Sequence, residues 1–346
     1  MSLKNIDIPK RMKHYNVPGL SLTLIENNHI SITENHGVLE ERENKNVSTD
    51  TIFSACSISK FLTTMLVMKL TEQGLLHLDE DVNEKLVSWK VPRNAFTESK
   101  KVTLRNLLSH QSGIIDPKDS FTELDSTIGS PPSMFELLEG KTHYCKKSIE
   151  VTYKPESGFH YSDAGYCIIQ QLVEDVTEES FQQVVNELLF KPLAMENSTL
   201  DMKRLATNSE GFSCGHNKYG EVVDGKYPIY PYPAASGLWT TSIDLAKLAI
   251  ELMNALKGES KIGISARRAK EIISPQGGKA WSGLGIFLEG SEKEFELTSL
   301  GWGIGFQCMV VLFPNMEKGA IIMTNAELGV HQMEGIIGEI YTSLKI

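Results

Sequence analysis

The chain has 346 residues, 41% of them hydrophobic and 23% charged, with 27 glycines and 13 prolines. That is an ordinary globular composition, long enough for a large core in one big domain or two lobes. A formal net charge of −10, with no basic run longer than pairs such as Lys100-Lys101 and Arg267-Arg268, argues against nucleic acid as a partner.

No apolar stretch reaches the length of a membrane-spanning helix. The start, Met1 to Asp7, lacks the apolar core of a secretory leader. The expectation is a soluble protein, cytoplasmic if the chain is complete and extracytoplasmic if a leader has been removed. The five cysteines (Cys56, Cys145, Cys167, Cys214, Cys308) form no C-x-x-C pair and read as buried small residues or free thiols. With no clustered His/Cys/Asp set and no phosphate-cradling loop, neither metal nor organic cofactor is expected.

In chain order, Gly19 to Glu26 and His29 to Val38 read as two strands joined by a tight Asn27-Asn28 turn. Ser57 opens a helix that runs through Leu70 to a C-terminal glycine at Gly74. From Leu75 to about Gly225 helical periodicity dominates, with helices expected at Thr103–Leu108, Tyr166–Val176 and Glu179–Phe190, the last closed by Pro192. The loop Asp116 to Pro132 reads as exposed and mobile. Thr241 and Asp244 suggest a capping box opening another helix. Leu284–Glu289, Glu294–Ser299, Gln307–Phe313 and Gly319–Thr324 read as short strands, the last two apolar enough to be covered on both faces. A helix over about Val330–Leu344 ends the chain.

Strands at both ends and helices between them predict an α+β fold in which the terminal strands share one antiparallel sheet flanked by helices. The expected boundaries are an α/β lobe of residues 1–75 and 226–346 and a mostly helical lobe of residues 76–225.

Chemistry enters at Phe53-Ser54-Ala55-Cys56-Ser57-Ile58-Ser59-Lys60. Residues three apart share a helix face, so the Ser57 hydroxyl and the Lys60 amine point into one small volume. A serine hydroxyl needs a neighbouring base to become a nucleophile. Tyr161, in Tyr161-Ser162-Asp163, is a second candidate to carry the proton, because a phenol beside a lysine cation ionises more readily. Ser299-Leu300-Gly301-Trp302-Gly303 lies at the edge of the expected sheet. Its glycines permit close approach to a strand edge, whose backbone N–H can complete an oxyanion hole with that of Ser57.

These blocks, with Val17-Pro18-Gly19, Thr103 to Gly113, Gly237-Leu238-Trp239 and Thr324-Asn325, resemble in order the class C β-lactamase and penicillin-binding-protein-like serine hydrolases. That group also holds D-alanyl-D-alanine carboxypeptidases, D-aminopeptidases and family VIII esterases. The resemblance implies a β-lactamase/transpeptidase-like fold with Ser57 as acylated nucleophile and Lys60 with Tyr161 as its base pair. It implies an oxyanion hole from the N–H groups of Ser57 and Trp302, and a substrate edge formed by Asp163, Ser299 and Gly301. It implies a small ester, amide or β-lactam substrate, a peptidoglycan-derived peptide among the candidates, and it leaves the oligomeric state open. His110 falls in the helical-lobe signature and reads as structural.

Two positions depart from the group. Ser299 stands where a Lys or His is usual, and Asp163 where Asn is usual. Both remove positive character from the pocket. Poor recognition of substrates bearing a free carboxylate is therefore expected, with neutral esters or amides favoured. The alternative is a weakly active or non-catalytic protein that binds a penicillin or a cell-wall fragment.

Overall fold

The computed structural model describes residues 1–4, 6–121, 131–201, 210–291 and 294–345. One antiparallel sheet holds β1 (Gly19–Glu26), β2 (His29–Gly37), β3 (Phe287–Glu289), β4 (Glu296–Gly303), β5 (Phe306–Phe313) and β6 (Lys318–Thr324). The spatial order is β2-β1-β6-β5-β4-β3. The two ends of the chain therefore meet at the β1–β6 pair, with Leu20 opposite Thr324 and Ile25 opposite Gly319. Asn27 and Asn28 both take left-handed φ values, 51° and 56°, the conformation a two-residue hairpin turn demands.

Six helices are used below: α1 (Ile8–Tyr15), α2 (Ser59–Glu72), α3 (Leu104–Leu108), α4 (Asp163–Thr177), α5 (Ser242–Lys257) and α6 (Ile336–Thr342). The apolar run of β5 is split by the two-residue period of a strand. Met309, Val311 and Phe313 join a core with Leu20, Leu22, Leu24 and the buried faces of α1 and α6. Cys308, Val310 and Leu312 face the larger core, built with α2, α4 and α5. On β1 the second face is polar, and Ser21 and Thr23 meet the Ser242 hydroxyl at 2.7 and 2.8 Å, so α5 docks by its N-terminus there without orphaned groups.

Helix α2 is buried almost all round, as a central core helix is. It begins one turn after β-paired Phe53–Ser54, through a 3₁₀ turn at Cys56–Ile58 that carries Ser57.

Several boundaries differ from expectation. The segment expected to be mostly helical holds short helices at Ala95–Ser99, α3 and Met134–Leu138, each started by a capping box, and one long helix, α4. Pro192 does not close a helix. A wide π turn over Asn186–Phe190 leads into Lys191–Leu193, and the chain leaves the helix at left-handed Ala194. Proline has no N–H to give the carbonyl one turn back, and the wide π turn lies where that bond is missing.

Near the C-terminus only Ile336–Thr342 is α-helical; Gln332–Glu334 is a separate 3₁₀ turn, and Leu344–Lys345 pairs with Ser2–Leu3. Strand β3 covers only three residues of the expected Leu284–Glu289, and β4 extends four residues past Ser299. Thr241 does cap α5, accepting from the Asp244 N–H at 3.1 Å. The Asp244 carboxylate, however, turns away to the Asn197 N–H, the Ser198 hydroxyl and Lys247 rather than completing a box. All five cysteines are buried free thiols.

Candidate active site

Ser57, Lys60 and Tyr161 line one open-mouthed cleft of about 330 Å³, together with Leu108, His110, Phe159, Phe287, Ser299 and Leu300 among others. Residues far apart in the chain are thus brought together between α2, the loop before α4 and the β3–β4 edge of the sheet.

Lys60 is 2% exposed. Its ammonium donates to Ser57 Oγ at 3.2 Å, to Asp163 Oδ1 at 2.6 Å and to the Ala235 carbonyl at 3.0 Å. Three protons meet three acceptors. Burial alone pulls the lysine pKa down, but the Asp163 carboxylate and the Tyr161 hydroxyl outweigh it, and the net shift is upward. Lys60 is a fixed cation, and with Asp163 it forms a neutral pair.

Tyr161 is 43% exposed and sits with its ring 4.7 Å from Lys60 Nζ. Its other support is His110, stacked at 4.3 Å between centroids. Burial, with the Lys60 charge adding to it, pushes the imidazole pKa well down. Its Nδ1 accepts the Ser162 N–H at 3.1 Å, so the neutral ring carries its proton on Nε2. His110 is a neutral platform for the tyrosine.

The nucleophile turn and the strand edge are pressed together. A Cβ on Gly301 would come within 2.3 Å of the Ala55 carbonyl oxygen, so only glycine lets β4 lie this close to the turn before Ser57. The two-residue turn after Gly303 pairs Gly303 with Phe306. Antiparallel alternation then directs the N–H of Trp302 away from β5, toward the open edge. The Trp302 side chain takes the opposite face and gives its indole N–H to Glu327 at 3.3 Å. The Ser299 side chain is buried in the cleft, and its hydroxyl has no hydrogen-bond partner among the described residues.

Cys56, beside Ser57, holds a left-handed φ of 48°. Its thiol pKa is pushed up to about 12, chiefly by burial, so it is an inert neighbour.

Asp116 is a site residue that sequence reasoning assigned to an exposed loop. Its carboxylate sits on the N-terminus of α4, accepting from the Ser162 hydroxyl at 2.7 Å, the Asp163 N–H at 2.8 Å and the Ala164 N–H at 3.0 Å. Burial and the nearby Asp163 charge raise its pKa, against the pull of those three donors. Residues 122–130 of the same expected loop lie outside the described residues. Asp116→Asn would turn an NH₂ group toward a backbone N–H and lose at least one of the three bonds. The expected cost is about 1–3 kcal/mol, read as a lower urea midpoint at unchanged m-value, together with a fall in kcat as Tyr161 and Asp163 lose their alignment.

Arg268 and Arg267, on the helix Ala266–Ile272, reach Glu271 at 2.9 and 4.0 Å outside the cleft, and so do not stand in for the Lys or His that Ser299 replaces. Among the described residues no group of His, Cys, Asp or Glu is placed to hold a metal ion, and no helix is long and apolar enough to cross a membrane.

The fold agrees with the comparisons to known proteins. The family model for Beta-lactamase matches residues 7–336. The chain belongs to the beta-lactamase family, with the fold of its penicillin-binding-protein and serine hydrolase members. It is 24% identical over 319 residues to Protein flp of Staphylococcus aureus (strain NCTC 8325 / PS 47), covering 89% of this chain but 60% of that protein's length. The octameric penicillin-binding protein homologue from Pyrococcus abyssi superposes with a TM-score of 0.75 at 22% identity, over 92% of this chain and 72% of that one. The D-alanine carboxypeptidase AmpC from Burkholderia cenocepacia gives 0.71 at 18% identity, over 97% of both chains.

Proposed function

We propose that the protein is a serine acyl hydrolase working through an acyl-enzyme on Ser57, and that it prefers neutral esters or amides to substrates bearing a free carboxylate. The observation that carries this is the saturated Lys60 ammonium: it touches Ser57 but is already paired with Asp163.

A lysine holding three protons against three acceptors has no lone pair to offer. His110 has its Nδ1 engaged and its Nε2 protonated. Of the titratable groups lining the cleft, Tyr161 remains to take the Ser57 proton. As Ser57 Oγ bonds the substrate carbonyl carbon, its proton passes to Tyr161, which reacts as its phenolate beside the Lys60 ammonium, and the carbonyl oxygen becomes an oxyanion. The N–H groups of Ser57, at the unpaired start of a helix, and of Trp302 would stabilise it. Collapse expels the leaving group, which takes the proton back from Tyr161. Water then attacks the ester carbon, Tyr161 accepts its proton, and Ser57 Oγ departs carrying that proton.

The same pair sets the preference. Lys60 is the one cationic side chain lining the cleft among the described residues, and Asp163 neutralises it. A substrate carboxylate would lose its water without gaining a charged partner, which is costly.

The test is a hydrolase panel on wild type and Ser57→Ala in parallel, with mass spectrometry after a fluorophosphonate. One probe adduct on Ser57 and turnover of p-nitrophenyl butyrate faster than nitrocefin support the proposal. Stoichiometric labelling without multiple turnover would favour the binding-protein alternative, and much faster nitrocefin turnover would defeat the carboxylate argument.

A further inference from the structure

One wall of the cleft is aromatic and belongs to no step above. Phe159 packs edge-on against Trp281 at 4.6 Å, and Trp281 reaches Phe287 at 6.2 Å. Phe159 and Phe287 line the cleft itself. Trp281 forms the rim and is 42% exposed, although its backbone is fixed by the Leu288 N–H donating to its carbonyl at 2.9 Å. Two separate segments, the loop at Phe159 and the Trp281–Phe287 hairpin, thus hold large aromatic side chains in half-open positions against one another.

The wall is continuous with the tyrosine. His110 stacks on Tyr161 and also meets Phe159 edge-on at 5.6 Å. In the mechanism proposed above Tyr161 returns its proton to the leaving atom, so whatever is bonded to that atom must lie on the Tyr161 side of Ser57. We infer that the Phe159–Trp281–Phe287 wall is a leaving-group subsite, and that the substrates are esters or amides of an uncharged aryl-bearing alcohol or amine. This rests on the hydrolase proposal. Edge-to-face packing and the burial of an aromatic ring supply the selectivity, and among the described residues Lys60, already paired with Asp163, is the one cation lining the cleft.

The test holds the acyl group constant. Benzyl acetate and 2-methoxyethyl acetate release alcohols of similar acidity, so their intrinsic reactivities are close. In the wild type the benzyl ester should show a kcat/KM about tenfold or more higher, expressed mainly in KM. Trp281→Ala should collapse that ratio to about twofold, and Trp281→Phe should restore most of it. Equal kcat/KM values in the wild type, or a ratio untouched by Trp281→Ala, would overturn the subsite while leaving Ser57-dependent hydrolysis in place. Absence of any Ser57-dependent turnover would instead overturn the hydrolase proposal, and this inference with it.

Discussion

Lys60→Met should lower kcat for a neutral ester by about a thousandfold, the size expected for removing a charge that organises proton transfer, and should also destabilise the fold. The ammonium holds Ser57 Oγ, the Asp163 carboxylate and the Ala235 carbonyl together at 2.6–3.2 Å. Without it Asp163 is left partly buried, next to Asp116, with no cation. Breaking one partner from a buried pair costs about 3–5 kcal/mol. Lys60→Met with Asp163→Asn removes both charges and should recover most of the lost stability but none of the activity. A double-mutant cycle in urea and in ester turnover separates the two effects. Recovery of both would show that Lys60 serves only the fold.

The sign of the pH dependence follows from the same pair. The Lys60 pKa is raised on folding. Its contribution to stability is therefore complete below the ordinary lysine value of about 10.4 and declines only as pH rises through the higher folded value. Between about pH 5 and 9 the Lys60 charge does not change, so no limb of the wild-type rate profile in that window should be the titration of Lys60 itself.

The parts of the site legible from the chain were those set by short-range spacing. Ser57 and Lys60 are three residues apart at a helix start, and Tyr161 stands two residues before the helix that Asp163 begins. The double-sided burial of β5 and β6 was equally visible in their unbroken apolar runs, and Asn27-Asn28 named its own turn. Asp116 was not legible, because its carboxylate works on backbone and hydroxyl groups 46 to 48 residues away and the polar residues around it read as a loop. Trp281 and Phe287 escaped notice for a related reason: a few aromatic residues in separate turns carry no period, and only folding sets them against Phe159. The end expected at Pro192 was misplaced because a π turn carries the helix past the proline to Leu193.

Ser299→Lys should convert the preference. Ser299 lies on the strand edge in the cleft with Ser57, its side chain buried there and its hydroxyl without a partner among the described residues. A lysine there would bring a cation that Asp163, already bonded to Lys60 at 2.6 Å, does not neutralise. A charge-assisted contact of this kind is worth about 1.5–3 kcal/mol, which corresponds to a gain of about 10- to 100-fold in kcat/KM for a carboxylate-bearing substrate such as nitrocefin, with p-nitrophenyl butyrate changed far less. The two cations sharing the cleft would repel, so part of the gain will be lost as reduced stability, and a thermal melt alongside the kinetics measures that part. Adding Asp163→Asn should cost further stability, because the introduced cation would face Lys60 with no carboxylate between them, while freeing the Lys60 charge and so adding to the gain for a carboxylate-bearing substrate. A Ser299→Lys protein that binds and turns over nitrocefin no better than the wild type would mean that the missing positive charge at this edge is not what sets the preference for neutral substrates.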